Sequence, residues 1–100
     1  MFSWDSANIS HIAAHSISTE EAEQVIENNP VDLERQLRNG EERIAHIGET
    51  AAGRVLIVIA TMRRELVRVV TAFPANKAMR KFYLAQKDLE NAKNSNDTGV

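Results

Sequence analysis

No cysteine occurs in this chain, which excludes disulfides, thiolate metal sites and a cysteine nucleophile together. Proline stands only at positions 30 and 74, and there are four glycines. A collagenous or low-complexity chain would need many more, so these residues read as punctuation between elements. The longest apolar run, Val55 to Ala60, is the length of a strand and far short of the roughly 20 residues of a membrane span. The opening Met-Phe-Ser-Trp-Asp-Ser has neither the basic nor the apolar region of a secretion signal, so a cytoplasmic protein with no membrane partner is expected. A chain of 100 residues with 43% apolar content supports one core and not two. We expect a single domain over residues 1–90 and, from its Asn, Lys, Ser, Asp and Gly content, a disordered tail over 91–100.

The charge is present but unevenly placed. Residues 1–50 hold three cations, Arg35, Arg38 and Arg43, against ten carboxylates, whereas residues 51–100 hold nine cations against four. An acidic half and a basic half point to a polyanionic partner or an acidic binding protein, because clustered Lys and Arg release counterions when they neutralise phosphates. The same split also arises when two solvated faces pack back to back. Charge alone leaves both open.

Local signals outline the fold. Phe2 and Trp4 alternate with polar neighbours and suggest a short first strand, after which Asp5 or Ser6 caps a helix to about His15. Ser18-Thr19-Glu20-Glu21 is a capping box, with Ile17 placed to staple onto Ala22, and the helix it opens ends near Asn28, ahead of Pro30. Val31, Leu33, Arg35 and Leu37 alternate with polar residues up to Asn39-Gly40, a hairpin turn. The returning strand covers Glu41 to Thr50. Arg54 to Ala60 is apolar on both faces and reads as the central strand. Arg63-Arg64-Glu65 turns the chain into a valine-rich strand over Leu66 to Ala72. Pro74 suits the first turn of a last helix, in which Ala75, Ala78, Phe82, Ala85 and Leu89 form a core stripe and Lys77, Arg80 and Lys81 point away from it. The order is β-α-α-β-β-β-β-α, an α+β fold with a small antiparallel sheet and helices packed largely on one side.

Few residues carry chemistry. His11 and His15 have the i, i+4 spacing of paired metal ligands, but the glutamate that zinc hydrolysis requires after the first histidine is replaced by Ile12, and no metal site or cofactor is implied. His46 lies on a strand with Glu42 and Ile44, as a structural histidine or a proton carrier. Arg68 sits among valines, where an unpaired guanidinium is costly to bury. It therefore lines an open groove or pairs with a carboxylate of the acidic half. Leu66, Val70 and Ala72 are expected on its face, with Val67, Val69 and Thr71 on the other. Arg63, Arg64, Lys77, Arg80 and Lys81 extend a basic surface from the sheet edge to the last helix.

Phe2-Ser-Trp-Asp5, Asn8, His15, Glu20-Glu-Ala22, Gly40-Glu-Glu-Arg43, Ile47-Gly48, Arg54-Val-Leu56 and Arg68-Val-Val-Thr-Ala72, in this order over residues 2–83, resemble the BrnT family of bacterial toxins. The resemblance implies a RelE-like fold and a metal-independent ribonuclease. It further implies a cognate antitoxin, of ribbon-helix-helix type, through which alone operator DNA is bound. RNA cleavage through the 2′-hydroxyl needs a base, a cationic stabiliser and a proton donor. For that chemistry Arg68 and Arg80 are expected to stabilise charge and His46 or Tyr83 to handle protons, with Arg63, Arg64, Lys77 and Lys81 contacting RNA or antitoxin. Where the family pattern has an arginine and a glutamate this chain has Phe73 and Met79, and no carboxylate base remains in the motif. Two readings follow: a toxin with altered or weakened activity, and a non-catalytic antitoxin-binding co-repressor. A stand-alone regulatory module is a third class.

Overall fold

The structure, a computed structural model, describes residues 1–98, with residues 94–98 described by their backbone alone. Three helices, α1 (Ser6–Ala13), α2 (Thr19–Glu27) and α3 (Lys77–Thr98), accompany four strands, β1 (Val31–Arg38), β2 (Glu41–Glu49), β3 (Val55–Arg63) and β4 (Leu66–Pro74). The strands form one antiparallel meander in the order β1-β2-β3-β4. Asn39 and Gly40 both adopt positive φ, 51° and 77°, as a two-residue hairpin turn between β1 and β2 requires.

Capping fixes the first two helices. The Asp5 carboxylate accepts from the Ala7 and Asn8 amides while the Asn8 side chain accepts from the Asp5 amide, and Ser18 and Glu21 make the equivalent reciprocal pair for α2. Each box satisfies amides that would otherwise lack partners at a helix start. The expected first strand shrinks to an isolated parallel bridge between Phe2 and Val67, with Ser3 N donating to Val67 O and Val67 N to Met1 O, each at 2.8 Å. The cap at Asp5 leaves no room for a longer ladder. Asn8, 2% exposed, donates to Ser3 O and to Val69 O at 3.0 Å each and so locks this segment and α1 onto β4.

The central strand is apolar on both faces, and helices therefore pack on both. Leu56 and Val58 meet Ile12, Ile17, Ala22 and Val25 of the α1–α2 layer, together with Val69 and Ala72. Val55 and Ile57 meet Ile47 and Tyr83, with Met79 and Phe73 packed alongside. Two helices share one face as expected, but α3 lies against the opposite one. At Gly48 a Cβ would stand 3.1 Å from Val25 Cγ1 and 3.2 Å from Pro30 Cβ, so the glycine lets α2 settle closely on β2.

Two expectations about the basic half change. Pro74 closes β4, and α3 begins at Lys77 with Asn76 Oδ1 accepting from the Met79 amide at 2.9 Å. The expected core stripe of α3 is turned outward: Phe82 and Leu89 are 40% and 63% exposed, while Tyr83 is 1% exposed. A stripe of alanines offers little area to bury, whereas Met79 and Tyr83 offer a large thioether and an aromatic ring. The tyrosine hydroxyl still finds a partner, donating to Glu49 Oε1 at 3.3 Å. Asn91, Ala92 and Lys93 continue α3 where a disordered tail was expected; the remainder of that expectation, in the side chains from 94 and in residues 99 and 100, lies outside the described residues.

Candidate functional site

β3 pairs Thr61 with Arg43 of β2 on one side and Arg68 of β4 on the other. Directly opposed residues share a face, so the two guanidinium-bearing positions flank Thr61 in one cross-strand row. Arg63 lies two residues further along β3 and hence on the same face. This is the face that α3 covers, but α3 covers it around Ile47, Val55 and Ile57. The row at Thr61 lies four residues beyond Ile57 along β3, about 13 Å at strand rise.

A bulge sets which residues of β4 join the row. The β3–β4 register shifts between Ile59 and Ala60, which pair with Thr71 and Val69 and leave Val70 as the extra residue. Bulges re-aim side chains. Here Val69 and Ala72 turn together into the α1–α2 core, so the strict alternation expected across Leu66 to Ala72 breaks at Val70: Ala72 does not share the Arg68 face.

Arg68, Arg43 and Arg63 line a cavity of about 170 Å³ with Ala7, Asn8, His11 and Val70. The carboxylates that pair with these arginines are already engaged. Asp5 takes Arg68 Nη1 on Oδ2 at 2.9 Å and two helix amides on Oδ1; the Arg68 hydrogen bond, with the Asn8 amide next, holds its carboxyl below the ordinary 3.8. Glu41 takes Arg63 Nε at 2.8 Å and lies 3.5 Å from Arg43 Nε. The Arg63 hydrogen bond is the main reason its carboxyl lies below 4.5. Arg43 Nε is buried and, among the described residues, makes no aligned hydrogen bond, leaving a donor of the kind an anionic oxygen satisfies. His11 is exposed on α1, with Nδ1 3.3 Å from Val70 O. A carbonyl only accepts, so in this contact Nδ1 is the donor and Nε2 is the nitrogen left free.

The residues expected to act together are dispersed. His46 pairs with Val58, which faces the α1–α2 core, and so lies on the sheet face opposite Arg68, with Nδ1 2.7 Å from Asp32 Oδ1. Tyr83 is on the Arg68 side of the sheet but beneath α3, where burial first, and then the Glu49 carboxylate, push its hydroxyl up to about 12. Lys77, Arg80 and Lys81 are exposed on α3, and Arg64 is in the β3–β4 turn with φ 51°. Phe73 and Met79 pack into the α3-side core, so the two departures from the family pattern are filled by apolar contacts. His15 stacks near Phe73, ring centroids 6.2 Å apart, and has a different neighbour from His11. A larger groove of about 540 Å³, on the other face, is lined by Ile26, Ile44, Ala60, Met62 and Val67 with Glu41, Glu42 and His46. Among the described residues no Lys or Arg lines it, whereas three arginines line the smaller cavity.

Sequence reasoning overlooked Asp5, Arg43 and His11 as site residues. Arg43 was legible only within the Gly40-Glu-Glu-Arg43 motif; the other two come to the cavity through long-range contacts. The profile of a family described as ribonuclease toxin, BrnT, of type II toxin-antitoxin systems matches residues 4–78. None of the curated proteins matches the chain significantly.

Proposed function

The chain belongs to the BrnT family of ribonuclease toxins of type II toxin-antitoxin systems, and from that premise we propose that it is a metal-independent endoribonuclease whose substrate phosphate sits in the cavity formed by Arg43, Arg63 and Arg68. The carrying observation is the convergence of three guanidiniums from β2, β3 and β4 on one concavity. Guanidiniums suit the developing charge on phosphorane oxygens because they are planar, always charged and bidentate. The four-strand meander with flanking helices fits the RelE-like fold that the resemblance implies. Membership of a type II family implies an antitoxin partner. Lys77, Arg80, Lys81 and Arg64, exposed beyond the cavity, supply further cationic surface for RNA or for that antitoxin, and operator DNA would be reached through the antitoxin. No helix among the described residues is long and apolar enough to cross a membrane.

Phe73 and Met79 favour a second reading. Both are partly buried in the core between α3 and the sheet, where the family pattern has an arginine and a glutamate, as expected of a member that binds antitoxin without cutting RNA. One experiment separates the two. Purified protein is incubated with long unstructured RNA in EDTA, and the ends are analysed for 2′,3′-cyclic phosphate. Arg68→Ala is expected to lower cleavage about 100-fold or more, as loss of a preorganised charge stabiliser does. It should remain folded, since Asp5 keeps its two amide donors and most of its contact with water. Intact RNA with wild-type protein, with and without ribosomes, would leave the binding reading.

A further inference from the structure

We propose that His11 is the base that takes the proton from the RNA 2′-hydroxyl. This assignment rests on the ribonuclease reading and names the residue that the sequence motif leaves unidentified. Three observations carry it. First, His11 lines the arginine cavity itself, whereas His46 is on the far face with Asp32, and the Tyr83 hydroxyl is enclosed beneath α3. Second, the carboxylates beside the arginines are committed: Asp5 caps α1 and holds Arg68, and Glu41 holds Arg63. A carboxylate in ion pairs and amide hydrogen bonds has little tendency to take a further proton. Third, the contact with Val70 O orients the ring. The carbonyl belongs to the bulge residue of β4, and it holds the hydrogen on Nδ1, leaving Nε2 as the acceptor, as orienting partners do for catalytic and metal-bound imidazoles.

The step balances within the substrate. His11 Nε2 takes the 2′-hydroxyl proton, the 2′-oxygen forms a bond to phosphorus, and the bond from phosphorus to the 5′-oxygen breaks. The departing 5′-oxygen gains a proton from water, and the imidazolium returns its proton to solvent. The products are a 2′,3′-cyclic phosphate and a 5′-hydroxyl, with no oxidant or metal consumed. Arg43, Arg63 and Arg68 face the same cavity from three strands, with Asp5 paired to Arg68 at the start of α1, so substrate arrives with its phosphate on the guanidiniums and its ribose toward the imidazole. The bulge at Val70 thus has a use: it supplies the oxygen that orients His11 beside Arg68.

The test uses the full chain, single-turnover cleavage of a long unstructured RNA in EDTA from about pH 5 to 9, and binding of the same sequence carrying 2′-deoxyribose. His11→Ala should lower the rate about 100-fold or more and remove the fall in rate toward acid pH. Added imidazole should restore part of the lost activity, and the uncleavable strand should bind within about twofold of wild type, because a proton acceptor does not hold the phosphate. His46→Ala should cut normally. Cleavage by His11→Ala at the wild-type rate with the acid limb intact overturns the assignment and leaves the ribonuclease reading standing. Loss of cleavage without imidazole rescue and with weakened binding also overturns it, making His11 a phosphate contact. Wild-type protein that cuts no RNA overturns the ribonuclease reading together with this one.

Discussion

Arg68 and Asp5, 63 residues apart in sequence, are joined by Nη1–Oδ2 at 2.9 Å and Nη2–Oδ1 at 3.4 Å. The same carboxylate starts α1 by accepting the Ala7 and Asn8 amides, so one side chain fixes both the helix and the guanidinium that faces the cavity. The two functions separate by substitution. Asp5→Asn keeps an oxygen for the cap and loses the ion pair; Asp5→Ala loses both. Chemical denaturation should rank wild type above Asp5→Asn and Asp5→Asn above Asp5→Ala. Because the folded Asp5 carboxyl lies below 3.8, its contribution is present above the unfolded value and is lost as pH falls through the lower folded value. Asp5→Asn should therefore flatten part of the acid limb of stability against pH. Equal stabilities for the two variants would remove the capping role.

Tyr83 gives the opposite dependence. Its hydroxyl is raised from 10.0 to about 12, so above pH 10 the unfolded chain loses the proton first, and stability falls as pH rises toward 12. Tyr83→Phe removes the titrating group and keeps the ring in the core. Denaturation at a series of alkaline pH values should show that the variant lacks most of this decline, while at neutral pH it differs from wild type by about 1 kcal/mol or less. An alkaline decline unchanged in Tyr83→Phe would assign it to other groups.

At Gly48 an added methyl would meet Val25 Cγ1 at 3.1 Å, Pro30 Cβ at 3.2 Å and Val25 O at 3.3 Å. The valine methyl has little freedom in a core, and the carbonyl and proline ring have less. Gly48→Ala should destabilise by about 1–3 kcal/mol through overpacking, read as a lower denaturant midpoint with an unchanged slope. A gain in stability would show that α2 shifts away at no cost.

The β3–β4 turn holds two non-glycine residues at positive φ, Arg64 at 51° and Glu65 at 67°. A side chain there costs about 1 kcal/mol relative to glycine. Glu65→Gly should raise stability by about that amount and the melting temperature by roughly 4–8 °C for a domain of this size. A lower melting temperature would mean that Glu65 makes a favourable interaction exceeding the backbone cost.

The sequence by itself determined what depends on neighbours along the chain. The Ser18–Glu21 box, the cap at Asp5, the Asn39-Gly40 hairpin and the run over Val55 to Ala60 are each specified within a few residues, and each appears where its chemistry places it. Composition and order were enough to recognise the family. Tertiary structure decided the rest. Periodicity placed the stripe of Ala78, Phe82, Ala85 and Leu89 inward on α3, yet the face bearing Tyr83 is the buried one, because its ring packs with Ile47, Val55 and Ile57. Period two cannot reveal a bulge, so the break at Val70 was hidden in a run of valines. The candidate site joins His11 to Arg43, Arg63 and Arg68, with Asp5 paired to Arg68, and His46 lies on the other face of the sheet. Those relationships arise from strand register and helix docking between distant segments, which no local pattern encodes.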